Sequence, residues 1–133
     1  MPFRYTIYKE MRLVVSTVFG RLTYDEIKEH QDKLLSDPGF DPGFNQLIDA
    51  REVAALDISI DEAKLAANRR MFSPGSRRAF LATSPAVFGM GRLLETYHEM
   101  SATPSRAGVF YDLSAALDWL GLESLPESPP AKS

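Results

Sequence analysis

The sequence predicts an α/β fold in one domain, a mixed five-stranded sheet with an N-terminal antiparallel hairpin and about four helices. Three observations lead there. Period-two alternation at the start of the chain gives way to stretches of helical period separated by short apolar runs. The first two strands are parted only by a reversal at Lys9 and Glu10, which makes them antiparallel, whereas each later strand follows a helix and is reached by a right-handed crossover. A chain of 133 residues fits a single core without disulfide or metal staples.

The elements follow in order. Phe3, Tyr5 and Ile7 alternate with Arg4 and Thr6, the period of a strand with one favoured face. Met11 to Phe19 is rich in β-branched residues and forms the second strand, with Gly20 closing the arm. Thr23 and Glu26 make a capping-box pattern, and Tyr24, Ile27, Leu34 and Leu35 form a stripe with Gln31 at its centre and His30 toward its edge. Two Pro-Gly pairs between Asp37 and Gly43 end that helix, and Phe40 and Phe44 should fold back onto the domain. Leu47 to Ala50 is a short strand buried on both faces, ending near Asp49. Ser59 and Glu62 repeat the capping box ahead of a stripe of Ile60, Ala63, Ala67 and Met71. Ala79 to Thr83 is the fourth strand, and Ser84-Pro85 starts a helix that reaches about Met100. Pro104 breaks the chain before a fifth strand at Val109 to Tyr111, and Asp112 or Ser114 caps a last helix ended by Gly121. The folded domain is expected over residues 1–121, with 122–133 as a disordered Pro/Ser-rich tail.

Composition excludes several function classes. No cysteine is present, which removes disulfides, thiolate metal sites and a thiol nucleophile. A net charge of −3 without massed basic residues argues against nucleic acid as a partner. No apolar run is long enough for membrane insertion or a signal sequence, so the expected location is cytoplasmic. The two histidines, His30 and His98, stand on different helices on or near solvated sides, and no His-Glu-x-x-His spacing occurs. No metal and no cofactor are expected. Ser76 and Ser84 lack a Gly-x-Ser-x-Gly elbow, and Gly89-Met90-Gly91 lies inside a helical pattern where it serves close packing better than a dinucleotide. Arg69, Arg70, Arg77 and Arg78 flank the Ser73-Pro74-Gly75 turn and could gather an anion or an acidic partner, with a solvated basic turn as the plainer reading. An enzyme is not expected, because no nucleophile, base and orienting group fall into an arrangement.

The element order and the spacing from Asp49 through Asp57 to Ser59 resemble the STAS domains, the SpoIIAA-like or anti-sigma-factor-antagonist group, in a divergent form. In that family a strand ends in an aspartate, a second aspartate follows eight residues later, and two small hydroxyl residues and a glycine then open a helix. Ser59 falls at the second hydroxyl position, next to the residue usually phosphorylated, while Ile58 and Ile60 replace the first hydroxyl and the glycine. The resemblance implies a non-enzymatic regulatory or protein-interaction domain. Asp49 and Asp57 would form its binding rim, Ser59 the regulatory phosphorylation candidate, and an unidentified protein and a kinase its partners. SpoIIAA-like proteins also resemble the lipid-binding CRAL-TRIO architecture. That likeness implies an alternative, a binder of a small apolar or lipid-like ligand.

Each candidate has a plainer reading beside it. Ser59 with Glu62 is sufficient as a helix cap, and Asp49 and Asp57 lack the further carboxylate or histidine that a hard-cation site needs. Phe88 projects from the charged side of its helix beside Arg92, which suggests a homodimer or partner contact, or else cover from another part of the chain. Phe44, Phe72, Phe80, Met90 and Tyr97 could line a ligand site, and core packing explains them equally well.

Overall fold

A computed structural model describes residues 3–69, 71–99 and 106–125, with side chains of the third helix described as far as Thr96. The side chains of Tyr97 and His98, together with Arg70, Met100, Pro104 and residues 126–133 of the expected tail, lie outside the described set. The elements are β1 (Phe3–Tyr8), a 3₁₀ turn (Lys9–Met11), β2 (Leu13–Thr23), α1 (Tyr24–Ser36), β3 (Asn45–Asp57), α2 (Ile60–Asn68), β4 (Arg77–Leu81), α3 (Pro85–Glu99), β5 (Arg106–Phe110) and α4 (Leu113–Leu120). The five strands lie in sequence order β1-β2-β3-β4-β5. Only β1 and β2 are antiparallel; the remaining neighbours are parallel.

Successive crossovers stepping the same way across the sheet lay their helices on one face. Accordingly α1 packs on α2 and α2 on α3, while α4 covers β4 and β5 from the other side. Strand alternation sorts the side chains between these layers. Leu13, Leu47, Ala79 and Leu81 face α4, where Ala116, Leu117 and Leu120 complete a cluster that Leu122 and Leu125 also pack against. The ordered packing therefore continues past Gly121. On the three-helix face, Tyr5, Val14, Leu34, Phe44 and Met71 form one cluster and Val18, Ala50 and Val53 another.

Each predicted cap residue starts its helix, but the Thr23 box forms by half: the Glu26 carboxylate meets the Thr23 hydroxyl in place of the Thr23 backbone N–H. The Thr23 hydroxyl accepts from the Glu26 amide and donates to the Glu26 carboxylate, and Ser59 with Glu62 forms a complete capping box. The Ser84 hydroxyl accepts from the Val87 amide, Asp112 accepts from Ala115, and Gly121 takes the left-handed conformation at φ 80°. Ser59→Ala removes one amide's acceptor at the start of α2 and is expected to lower stability by about 1 kcal/mol, measurable by urea unfolding.

The main departure concerns β3. It does not stop near Asp49 but pairs with β2 as far as Asp57, so Gly20 does not close an arm either. Register shifts fall between Thr17 and Phe19 and between Gly20 and Arg21, and Gly20 on β2, beside the second shift, sits at φ 74°, a conformation glycine adopts without steric cost. Each shift adds a residue on β3, so the better-buried positions there are Ala50, Val53 and Leu56. A spacing of three hides a strand from any search for period two.

Candidate functional site

The small residues of the three-helix face leave a cavity of about 160 Å³ between the sheet and α1, α2 and α3. Its floor is built by alternation on β3 and β4: Gln46, Ile48 and Ala50 from one, Arg78 and Phe80 from the other, continued by Ala82. Gln46 stands beside Arg78 and Ile48 beside Phe80 in the parallel register, so the floor is polar at one end and apolar beyond. The roof comes from Ile27, His30 and Gln31 of α1, from Ala63, Ala66 and Ala67 of α2, and from Val87, Met90, Gly91 and Leu94 of α3. Left unfilled, a void of this size forgoes at most about 4 kcal/mol of packing, a large part of a small domain's net stability.

Gly91 sets the height of that roof. A Cβ there would meet Val109 Cγ2 at 2.8 Å, whereas one at Gly89 would meet nothing. Gly91→Ala must therefore lift α3 from β5, with an expected loss of about 1–3 kcal/mol in urea unfolding; Gly89→Ala should show none of that clash.

The polar end is organised by three buried groups. Gln46 Nε2 donates to Ser16 Oγ at 2.9 Å, and Ser16 Oγ lies 2.9 Å from His30 Nε2. With its oxygen already accepting from Gln46, the Ser16 hydroxyl can give its proton to a neutral imidazole. Burial, assisted by Lys33, pushes the His30 pKa down to about 4, which keeps the ring neutral. The ring also stacks on Phe3, centroids 4.4 Å apart, and meets Tyr5 edge-on. His30 is thus a buried residue at 7% exposure, not one on the solvated side. The docked face of α1 centres on His30 and Leu34, leaving Leu35 outside.

Arg78 does not belong to a solvated turn either. It lies on β4 with its guanidinium carbon 5.0 Å from the Phe72 ring centroid, and burial pushes its pKa down to about 10. Arg69 also lines the cavity. Its Nη2 lies 2.5 Å from Asp32 Oδ1 on α1, while its Nη1 is buried without a hydrogen-bond partner among the described residues. The ionisable residues among the described lining are His30, Arg69 and Arg78, and no carboxylate is among them.

The residues singled out in the sequence separate. Asp49 and Asp57 sit eight positions apart on one extended strand, roughly 25 Å at the usual rise, so Asp49 shares no rim with Asp57 and Ser59. Asp49 accepts two bonds from the Arg51 guanidinium, at 3.0 and 2.8 Å; burial raises its pKa, but these bonds and the Arg51 amide bring it below the usual value. Asp57 pairs with Arg21, and Ser59 is committed to its capping box. Phe88 is covered from within the chain: its ring stacks on Tyr111 at 3.7 Å, 3° from parallel, leaving Tyr111 as the exposed aromatic at 58%. Arg92 lies 3.8 Å from Glu95. Of the proposed lining residues, Phe72, Phe80 and Met90 do line the cavity, whereas Phe44 is packed in the core beside it.

No protein-family model matches the sequence, and no curated protein does. Among solved structures, the chain is similar to an uncharacterised DUF3478 protein from Shewanella loihica PV-4 described as having a SpoIIAA-like fold. The two are 22% identical with a TM-score of 0.56, over 89% of this chain and 91% of that one. The fold is SpoIIAA-like. No helix among the described residues is long and apolar enough to cross a membrane.

Proposed function

We propose that this SpoIIAA-like chain is a non-enzymatic binding protein whose cavity between the sheet and its first three helices takes a small, largely apolar ligand. The observation that carries this reading is the cavity itself, walled by Ile27, Ile48, Phe72, Phe80, Met90 and Leu94 and kept open by alanines where larger side chains would close it. Apolar walls with a few convergent polar groups at one end are the usual make-up of a small-molecule site. At about 160 Å³ the space is close to that of an engineered cavity of about 150 Å³ known to accept benzene, so the apolar part of the guest should have about six carbons. Native mass spectrometry of freshly purified protein tests the reading. A mass increment of small-molecule size, lost on denaturation and absent from an Ala67→Trp variant, is expected; an increment that persists in that variant would place the ligand elsewhere.

A regulatory reading keeps one specific support: Ser59 is exposed and opens α2, the helix that forms part of the cavity roof. A phosphate at this helix start would be favoured by the backbone N–H groups there and would replace the present hydroxyl cap. Phosphopeptide mapping from cells tests it; Ser59 found unmodified under all growth conditions would remove it.

A further inference from the structure

Resting on the cavity reading above, we infer that the ligand is a small uncharged hydroxyl compound, its apolar body over Ile48 and Phe80 and its hydroxyl donating to Gln46 Oε1. Gln46 is 5% exposed and lines the cavity. Its Nε2 is spent on Ser16 Oγ at 2.9 Å, whereas its Oε1 accepts no hydrogen bond among the described residues. Among those residues the one side-chain polar atom sealed off without a partner is Arg69 Nη1, so Gln46 Oε1 is open to space, and the space that Gln46 lines is the cavity. An acceptor held so deep calls for a donor. Ser16, fully buried and itself bonded to His30, fixes the amide from behind, so the oxygen is in position before any guest arrives. A hydroxyl is the donor that suits this space: an ammonium would have to be stripped of its water shell among apolar walls, and an amide would bring a carbonyl needing a donor of its own. Ile48 follows Gln46 two residues on along the same face of β3, about 7 Å away, close to the length of a six-carbon ring with its hydroxyl.

The test uses two probes of matching shape on the full chain at pH 7.5, toluene and phenol, which differ by a methyl against a hydroxyl. Unpartnered in an apolar site, the hydroxyl would lose its bonds to water and leave phenol the weaker guest by about tenfold or more. Calorimetric titration is expected to show phenol binding at least as tightly as toluene and competing with it. Gln46→Met keeps the length of the side chain and removes the acceptor, so phenol should weaken about tenfold while toluene stays within about threefold. Phenol binding more weakly than toluene to the unmodified protein, or unaffected by Gln46→Met, would overturn the hydroxyl inference and leave the apolar cavity standing. Failure of both probes to bind the folded protein would overturn the cavity reading itself. If Gln46→Met does not fold, the phenol-to-toluene ratio of the unmodified protein still decides.

Discussion

Ala67→Leu is expected to weaken benzene binding at least tenfold while changing stability by no more than about 1 kcal/mol in either direction. Ala67 lies on the cavity side of α2 with Ala63 and Ala66, a run of small side chains across the roof. Leucine is nearly as good a helix former as alanine, so the backbone has no reason to object. The three added carbons would gain about 2 kcal/mol of burial, against about 1–3 kcal/mol if they strain the site. A space of about 160 Å³ has room for those carbons or for a six-carbon guest, not both. Titration calorimetry beside a thermal melt reads both consequences. An unchanged affinity would mean that benzene binds somewhere other than beneath α2.

The second large effect is a loss of stability in mild acid that traces to His30. Its folded pKa of about 4 lies below the ordinary 6.5, chiefly because the ring is buried. Between those two values the unfolded chain takes up a proton that the folded protein refuses. Stability is therefore fully present above the unfolded value, falls as pH drops through it, and stops falling on this account once pH is below the folded value. The whole gap is equivalent to about 3 kcal/mol, of which about 2 kcal/mol should be gone by pH 5. His30→Gln keeps a partner for Ser16 but has nothing to titrate. Urea unfolding at pH 7 and pH 5 should show the wild-type loss exceeding that of the variant by about 2 kcal/mol. Equal losses would mean that His30 is protonated in the folded state near its ordinary pKa.

Local chemistry made most of the scaffold legible. Cap residues at Thr23, Ser59, Ser84 and Asp112 announce helix starts through short-range hydrogen bonds, and the crossovers follow from the order of elements. What escaped was set by tertiary register. The bulges opposite Phe19 and Gly20 turn the burial spacing of β3 from two to three, so residues 51–57 look like a connection when they are strand. A connection there would bring Asp49 and Ser59 together; in the fold a length of strand stands between them. The cavity residues were half visible. Phe72, Phe80 and Met90 were marked as lining candidates by their bulk. Arg78 and His30 were not, because a charged or titratable side chain reads as solvated until a neighbouring helix is seen to cover it. The available hint was phase: Arg78 alternates with Ala79 and precedes Phe80 by two, which places both on one strand face.

Methyl-resolved NMR titration of the unmodified protein with benzene decides most directly whether the space under α1, α2 and α3 receives an apolar guest. Saturable shifts at the methyls of Ile27, Ile48, Met90 and Leu94, with Leu117 and Leu120 on the buried face of α4 unmoved, are the expected result. Spectra unchanged to the solubility limit of benzene, or shifts confined to the α4 side, would contradict it.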